Sequence, residues 1–171
     1  DLQCQQQLDE LAAVELLLGQ VEVARQLLGQ RGATALAAHA GEIADHVYGS
    51  PSQKLWIVGI TGTNGKTSCC HWVAQSLCAL GKKTALIGTL GNGFHPDLQP
   101  TLNTTPDAIR VHDLFADYLA HDAQAIAMEV SSHALEQGRV NGVQFDVALL
   151  TNLSRDHLDF HGNMQSYAAA K

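Results

Sequence analysis

Basic residues are scarce in the 171-residue sequence, which has 10 lysines and arginines against 17 aspartates and glutamates and a formal net charge of −7. Nucleic acids and anionic membrane surfaces favour basic partners, so this shortage argues against a general binder of either. Long apolar runs are missing too, since none approaches the roughly 20 residues that a membrane-spanning helix needs. We therefore expect neither nucleic-acid binding nor membrane insertion. A nucleotide ligand stays open, because a local cluster of backbone N–H groups can hold phosphate in an acidic protein.

The sequence also has no CxxC pair and no visible secretory leader. Its four cysteines are Cys4, Cys69, Cys70 and Cys78, and the last three lie on an apolar helical pattern. This arrangement favours reduced, structural thiols over a disulfide or a zinc site. The first residues show no basic region followed by an apolar core. We expect a cytoplasmic protein.

The chain is predicted to divide near residue 50. Residues 8–48 carry apolar residues at helical spacing, and Gly49-Ser50-Pro51 is a strong stop signal. We predict a partial, helical N-terminal region with a linker helix over residues 1–49, and a separate domain over residues 50–171.

Strand and helix patterns alternate after that boundary. A short, nearly continuous apolar run predicts a strand buried on both faces at Leu55–Ile60, and further strands are predicted at Thr84–Ile87, Ala125–Val130 and Phe145–Leu150. Two helices are predicted between them, with buried faces formed by Cys69, Val73, Leu77 and Leu80 in the first and by Val111, Leu114, Phe115 and Tyr118 in the second. The alternation indicates an α/β fold with a mostly parallel sheet covered by helices on both faces. Ligands bind such sheets beyond the carboxyl ends of the strands.

A glycine-rich segment, TGTNGKTS at residues 61–68, follows the first predicted strand. Glycines allow a tight turn that aims N–H groups at a phosphate, and the next helix adds the positive end of its dipole. Lys66 can reach the terminal phosphates of ATP, and the Thr67 hydroxyl can ligate Mg²⁺. Ile60 replaces the first glycine of the strict G-x4-G-K-[ST] pattern, so Gly62 has to make the early turn. The predicted ATP-binding residues are Gly62, Thr63, Asn64, Gly65, Lys66, Thr67 and Ser68.

The loop alone would suit a kinase, an ATPase or a ligase, but three further segments narrow the choice. They are NTTP at residues 103–106, AMEVSSH at residues 127–133 and TNLSRDHLDFHG at residues 151–162. Together with the loop, and in this order, they resemble the Mur ligases, and most closely the MurE branch (UDP-N-acetylmuramoyl-tripeptide synthetases). The resemblance covers residues 34–171 and implies a P-loop central domain of the Mur ligase type.

The resemblance implies ATP-dependent amide bond formation with Mg²⁺. The D-Glu carboxylate of UDP-N-acetylmuramoyl-L-alanyl-D-glutamate attacks the γ-phosphate, and the amine of a diamino acid then displaces phosphate from the acyl phosphate. We expect meso-diaminopimelate rather than L-lysine as the diamino acid, and a monomer as the acting species.

The resemblance also implies the catalytic residues Lys66, Glu129, His157 and a carbamylated Lys171, with Thr67, Glu129, His157 and Lys171 as metal ligands. A carboxylate that ends a buried strand is costly unless it is paired or metal-bound, although Glu129 could also face solvent. Histidine prefers softer metals than Mg²⁺, so His157 by itself would favour a structural role. Carbamylation needs a neutral amine, so the pKa of Lys171 has to be lowered, whereas an ordinary chain-end lysine would be solvated.

The substrate-binding residues implied by the resemblance are Asn103, Thr104, Thr105, Ser131, Gln137 and Arg139. Arg139 suits an anionic oxygen because its donors are forked. Thr104 or Thr105 could instead cap the helix that follows. His133 and His161 have no assigned role.

Whole MurE proteins are longer than this chain, which shows neither the expected uridine-domain motifs in residues 1–33 nor a recognisable third domain. We expect the 171 residues alone to be inactive. The alternatives that stay open are another Mur-type or folylpolyglutamate-type ligase, a non-catalytic nucleotide-binding module and a P-loop kinase.

Overall fold

The computed structural model describes residues 36–171. The helices predicted to begin at residue 8, and most of the predicted N-terminal region, lie outside the described residues. The strands are β1 (Trp56–Thr61), β2 (Thr84–Gly88), β3 (Gly91–Phe94), β4 (Asp97–Gln99), β5 (Ala125–Glu129) and β6 (Val147–Leu150). The helices are α1 (Leu36–Val47), α2 (Lys66–Ala79), α3 (Ala108–Ala120), α4 (Ser132–Glu136), α5 (Leu158–His161) and α6 (Met164–Ala170), and a 3₁₀ turn spans Pro51–Lys54.

The six strands form one sheet in the order β4-β3-β2-β5-β1-β6. The four strands from β2 to β6 in this order are parallel, while β3 and β4 add an antiparallel edge. The predicted mostly parallel α/β sheet is therefore confirmed. The hairpin of β3 and β4 was missed because its segment, GNGFHPDLQ, has no continuous apolar run.

Alternate residues of the central strands supply the two hydrophobic cores. Ile57 of β1 packs on one face with Phe115 of α3, and both side chains are fully buried. Val58 packs on the opposite face with Cys70 and Ala74 of α2. Because β1 and β5 are covered on both sides, most of their positions need an apolar residue, which explains their nearly continuous apolar sequence.

The two predicted helix faces have different outcomes. The four residues predicted on the buried face of α3 are all buried, as expected. In α2 the most buried residues are Cys70 and Ala74, and the prediction is wrong for Leu80, which lies beyond the end of the helix and is 78% exposed. Small residues at the centre of the α2 face let the helix lie close to the sheet, and a pattern based on large apolar residues does not reveal this.

Strand β6 also differs from its prediction. It begins at Val147 rather than Phe145, and its four side chains are exposed because the strand lies at the edge of the described sheet. Phe145 instead lies against Gly59, where an added Cβ would be 2.7 Å from the phenylalanine ring. The Asp146 carboxylate accepts a 2.7 Å hydrogen bond from the Ile57 N–H group. The segment before β6 therefore fixes the strand against β1.

Helix α1 ends at Val47, close to the predicted stop, and packs against α3. The buried ring of His112 in α3 places its Nδ1 3.4 Å from a carboxylate oxygen of Asp45 in α1. The domain boundary at residue 50 stays a prediction. None of the helices in residues 36–171 is long and apolar enough to cross a membrane.

Candidate active site

The glycine-rich segment at residues 61–68, called the phosphate loop from here on, connects β1 to α2 at the carboxyl end of the parallel strands. Gly62 and Gly65 have φ values of 135° and 85°, which side chains rarely tolerate. At Gly62 an added Cβ would lie 2.0 Å from the Thr151 hydroxyl, so space as well as conformation requires glycine there. Helix α2 begins at Lys66, and its first N–H groups can receive an anion. The predicted strand-loop-helix arrangement is confirmed.

Lys66 and Lys171 meet at this loop although 105 positions separate them in sequence. The Nζ of Lys66 donates to the Gly62 and Thr63 carbonyl oxygens at 2.9 and 3.0 Å. The Nζ of Lys171 donates to the same Gly62 oxygen at 3.0 Å and to the Thr61 hydroxyl at 3.1 Å. The two lysine Nζ atoms therefore converge on one carbonyl oxygen, and the charge of Lys66 is available to an anion at the loop.

The environment of Lys171 lowers its pKa to about 8, mainly through burial and then through the positive charge of Lys66, while Asp156 opposes the shift. Helix α6 positions this lysine through Tyr167, one turn earlier on the same face. The fully buried Tyr167 has its hydroxyl 2.9 Å from the Thr63 hydroxyl, and the Lys171 Nζ lies 5.1 Å from its ring centre. The lowered pKa meets the condition for carbamylation.

Glu129 ends β5 and is 1% exposed, so the solvent-facing alternative is wrong. Its carboxylate accepts hydrogen bonds from the Thr67 hydroxyl at 2.9 Å and from the Thr89 N–H group at 2.8 Å. The Thr89 hydroxyl also donates to Glu129 Oε2, at 3.3 Å. Gly88 makes room for this carboxylate, because an added Cβ would lie 2.3 Å from Glu129 Oε1.

The surroundings of the Glu129 carboxylate are compatible with Mg²⁺ binding. It is buried, all its hydrogen-bond donors are neutral, and no lysine or arginine of residues 36–171 forms an ion pair with it. A buried, unbalanced negative charge is costly, and a hard cation with oxygen ligands would balance it. Glu129 and the adjacent Thr67 hydroxyl therefore fit the ion.

His157 lies near the site in a left-handed conformation, with φ of 49°. Its ring centre is 4.8 Å from that of His133 and 6.3 Å from that of Tyr167. Within the described part of the chain, no three His, Cys, Asp or Glu residues form a metal site. The complete ligand set of Thr67, Glu129, His157 and carbamylated Lys171 thus stays a prediction.

The two histidines without an assigned role lie beside His157. The His133 ring centre is 5.7 Å from that of His161, and the His161 Nε2 is 3.0 Å from the Ser132 hydroxyl. Burial, followed by the charges of His157 and His161, lowers the pKa of His133. His133 is therefore more readily neutral than an ordinary histidine.

A cavity of about 270 Å³ joins the loop to most of the predicted substrate residues. Its lining consists of Lys66, Asn103, Thr104, Thr105, Ser131, His133, Arg139 and His157. These residues come from four separate parts of the sequence, so their convergence supports a shared binding function.

Gln137 and Thr105 both form hydrogen bonds that hold Arg139 at the edge of this cavity. Gln137 is not in the lining, and its side-chain oxygen accepts a 2.8 Å hydrogen bond from Arg139 Nε. Arg139 Nη1 donates to the Thr105 carbonyl oxygen at 2.8 Å. The Thr105 hydroxyl links the Glu129 carbonyl oxygen to the Ser131 N–H group. The helix cap predicted at Thr104 or Thr105 is wrong, because Asp107 accepts from the Arg110 N–H group and caps α3.

Thr63 has a different placement from the one expected of an ATP contact. Its side chain is 9% exposed and bonds to the Tyr167 hydroxyl and to both backbone groups of Ser154. Its N–H group donates to the Asn152 carbonyl oxygen at 3.0 Å. The Thr63 side chain therefore stabilises the loop through hydrogen bonds inside the protein.

The sequence predictions gave no role at this site to Gly88, Thr89, Asn152 or Tyr167, although Asn152 lies in the TNLSRDHLDFHG segment. Gly88 and Thr89 directly follow the predicted strand β2, so the rule about carboxyl strand ends could have found them. A larger cleft of about 600 Å³ between the hairpin of β3 and β4 and helix α3 was also not predicted. It shares Asn103 with the smaller cavity.

Comparisons with known proteins identify the family to which the chain belongs. The family model described as the Mur ligase middle domain matches residues 60–171. The UDP-N-acetylmuramoyl-L-alanyl-D-glutamate–2,6-diaminopimelate ligase of Nitrosomonas europaea is 57% identical over 140 residues, which are 82% of this chain and 27% of that protein. The protein of the same name from Pseudomonas putida is 57% identical over 136 residues, 80% of this chain and 27% of its own length. The chain thus spans little more than a quarter of these relatives.

A solved structure of a protein with that ligase name aligns with a TM-score of 0.69 and 37% identity, over 77% of this chain and 28% of its own. MurF from Acinetobacter baumannii aligns with a TM-score of 0.52 and 18% identity, over 77% of this chain and 26% of its own, which shows the fold alone. Because the family model covers well over half of the sequence and the fold agrees with it, the chain belongs to the Mur ligase family, and residues 60–171 match its middle domain.

Proposed function

We propose that the chain carries the ATP-binding and acid-activating part of a ligase that adds meso-diaminopimelate to UDP-N-acetylmuramoyl-L-alanyl-D-glutamate. The observation that carries this proposal is the convergence of Lys66, Lys171 and the Arg139 cavity at one phosphate loop. The names of the relatives supply the substrates. Action as a monomer and location in the cytoplasm stay predictions.

The first chemical step brings two anions together, the substrate carboxylate and the ATP triphosphate. The N–H groups at the start of α2 and the ammonium group of Lys66 favour the phosphates. Arg139 lies across the same cavity, with its guanidinium held by Gln137 and the Thr105 carbonyl, and can receive an anionic oxygen of the second substrate. In this proposal, Lys66 and Arg139 bring the substrate carboxylate and the γ-phosphate together in one cavity, because both residues line it.

The carboxylate oxygen then forms a bond to phosphorus while the bond to ADP breaks, which gives an acyl phosphate. The incoming amine attacks the acyl carbon, displaces inorganic phosphate and loses one proton, which passes to the released phosphate or to water. Thr67 and Glu129 would hold Mg²⁺, which supplies positive charge against the phosphates when bound. His157 and a carbamylated Lys171 are proposed as its further ligands. His133, neutral over a wider pH range than usual, can accept a hydrogen bond in the cavity.

The test uses the protein that contains this chain, at its full natural length. ADP release is measured with the UDP-muramoyl-dipeptide and ATP, and with diaminopimelate, lysine or no amino acid as the acceptor. Diaminopimelate is expected to support turnover. Lys66→Ala and Lys171→Ala should each abolish it, and acetate should restore activity only to Lys171→Ala.

Lys82→Ala is the matched control, because Lys82 is exposed and lies in the turn before β2, away from the phosphate loop. Turnover with glutamate on a folate substrate would favour the folylpolyglutamate type of ligase. Nucleotide binding without turnover on any acceptor would favour a non-catalytic module. Phosphorylation of an acceptor without amide formation would favour a kinase. Each of these three results would contradict the proposal.

A further inference from the structure

The segment that follows β6 holds the tip of the phosphate loop through Asn152. The Asn64 N–H group donates to Asn152 Oδ1 at 3.1 Å, and Asn152 Nδ2 donates to the Asn64 carbonyl oxygen at 2.9 Å. The Asn152 carbonyl oxygen also accepts from the Thr63 N–H group at 3.0 Å. One residue therefore contacts two consecutive peptide groups of the loop.

Thr151 completes this contact next to Asn152. Its N–H group donates to the Thr61 carbonyl oxygen at 3.0 Å, which continues the pairing of β6 with β1. Its hydroxyl donates to the Asn64 carbonyl oxygen at 2.6 Å and lies where a side chain at residue 62 would have to lie. The loop and the segment after β6 are thus shaped to each other.

The loop needs such support because glycine makes it costly to order. Gly62 and Gly65 flank the tip in conformations with positive φ, and glycine loses more conformational freedom on ordering than any other residue. Asn64 and Gly65 are exposed, so no core packing holds the tip. If the loop adopts its binding conformation in only a fraction of the molecules, the apparent affinity for the nucleotide is the intrinsic affinity multiplied by that fraction.

We propose that Asn152 is a positioning residue for nucleotide binding, and that it acts by holding residues 63 and 64 in the shape that receives the phosphates. The Asn152 side chain replaces the backbone partner that the Asn64 peptide group would have in a strand. This inference rests on the proposed function, because it assumes that the loop binds a nucleotide.

The experiment measures equilibrium binding of the Mg²⁺ complex of adenylyl imidodiphosphate to the full-length protein by titration calorimetry. Asn152→Ala removes two side-chain hydrogen bonds and should weaken nucleotide binding roughly tenfold. Asn152→Asp keeps the acceptor but loses the donor and adds a negative charge, so it should bind at least as weakly as Asn152→Ala. The KM for the UDP-muramoyl-dipeptide should stay within about twofold of wild type in Asn152→Ala, because the effect is confined to the loop.

Thr84→Val is the matched control. The buried Thr84 hydroxyl donates to the Lys82 carbonyl oxygen at 2.8 Å. Thr84 is the first residue of β2, at the end of the strand opposite the phosphate loop, so Thr84→Val removes a comparable hydrogen bond away from the loop. It should lower the thermal unfolding midpoint without changing the nucleotide Kd. Asn152→Asp provides the test if Asn152→Ala does not fold.

The outcomes separate the two proposals. If wild type binds the nucleotide and both Asn152 variants bind it equally well, the positioning role is wrong and the proposed function stands. If the control loses as much affinity as Asn152→Ala, the effect is general destabilisation and the positioning role is again wrong. If wild type binds no nucleotide, the proposed function itself fails.

Discussion

The lowered pKa of Lys171 gives the sharpest prediction about the site. Burial contributes most to the shift from 10.5 to about 8, the positive charge of Lys66 lowers the pKa further, and Asp156 raises it. Lys66→Met removes a like charge and should therefore raise the pKa of Lys171. Asp156→Asn removes an opposite charge and should lower it. The two substitutions act in opposite directions although both remove one charge.

The magnitude matters because carbon dioxide reacts only with the neutral amine. At pH 7 a pKa of about 8 leaves roughly 10% of the amine neutral, whereas a pKa of 10.5 would leave about 0.03%. The site thus raises the reactive fraction about 300-fold. Two unit charges about 4 Å apart interact by about 1 kcal/mol in water, which is about 0.7 pKa unit, so Lys66→Met should reduce this fraction roughly fivefold.

The assay follows the carbamate of Lys171 by ¹³C NMR with labelled carbon dioxide, at constant dissolved CO₂ and at several pH values. In wild type the carbamate signal should rise with pH through a midpoint near 8, since the neutral amine accumulates as the proton leaves. Lys171→Arg should show no signal, and Lys82→Met should match wild type. A midpoint near 10 in wild type, or one that Lys66→Met does not move, would refute the reasoning.

Two other predictions concern the carboxylate pocket and the core. Gly88→Ala places a Cβ 2.3 Å from Glu129 Oε1, so the carboxylate must move, and calorimetry should show weaker Mg²⁺-dependent nucleotide binding; unchanged affinity would contradict the role of Gly88. Phe115→Ala removes a fully buried ring and should lower the free energy of unfolding by about 3–5 kcal/mol in urea denaturation. A loss below about 1 kcal/mol would contradict its central place in the core.

The parallel part of the sheet could be predicted from sequence because β1 and β5 are buried on both faces and therefore consist almost entirely of apolar residues. The hairpin of β3 and β4 could not, because its glycines and polar residues carry no strand period. The edge position of β6 was also missed, since an apolar run such as Phe145–Leu150 does not reveal whether another strand covers it. Apolar composition thus predicts a strand better than it predicts the strand's neighbours.

At the site, sequence reasoning predicted residues with charged groups of their own, with the loop pattern indicating Lys66 and the family resemblance indicating Glu129 and Arg139. It missed residues whose role depends on contacts between distant segments. Asn152 contacts a loop 88 positions earlier in the chain, and Tyr167 meets Thr63 across 104 positions. No local pattern encodes such a contact, so only the folded structure could show it.

The Gly62 carbonyl oxygen, which accepts from both Lys66 and Lys171, means that the anion site already satisfies part of its own charge. If the proposed function holds, a triphosphate that binds at the loop exchanges these internal hydrogen bonds for hydrogen bonds to its own oxygens. The strength of nucleotide binding then depends on the difference in free energy between the internal and the external hydrogen bonds of the Lys66 ammonium group.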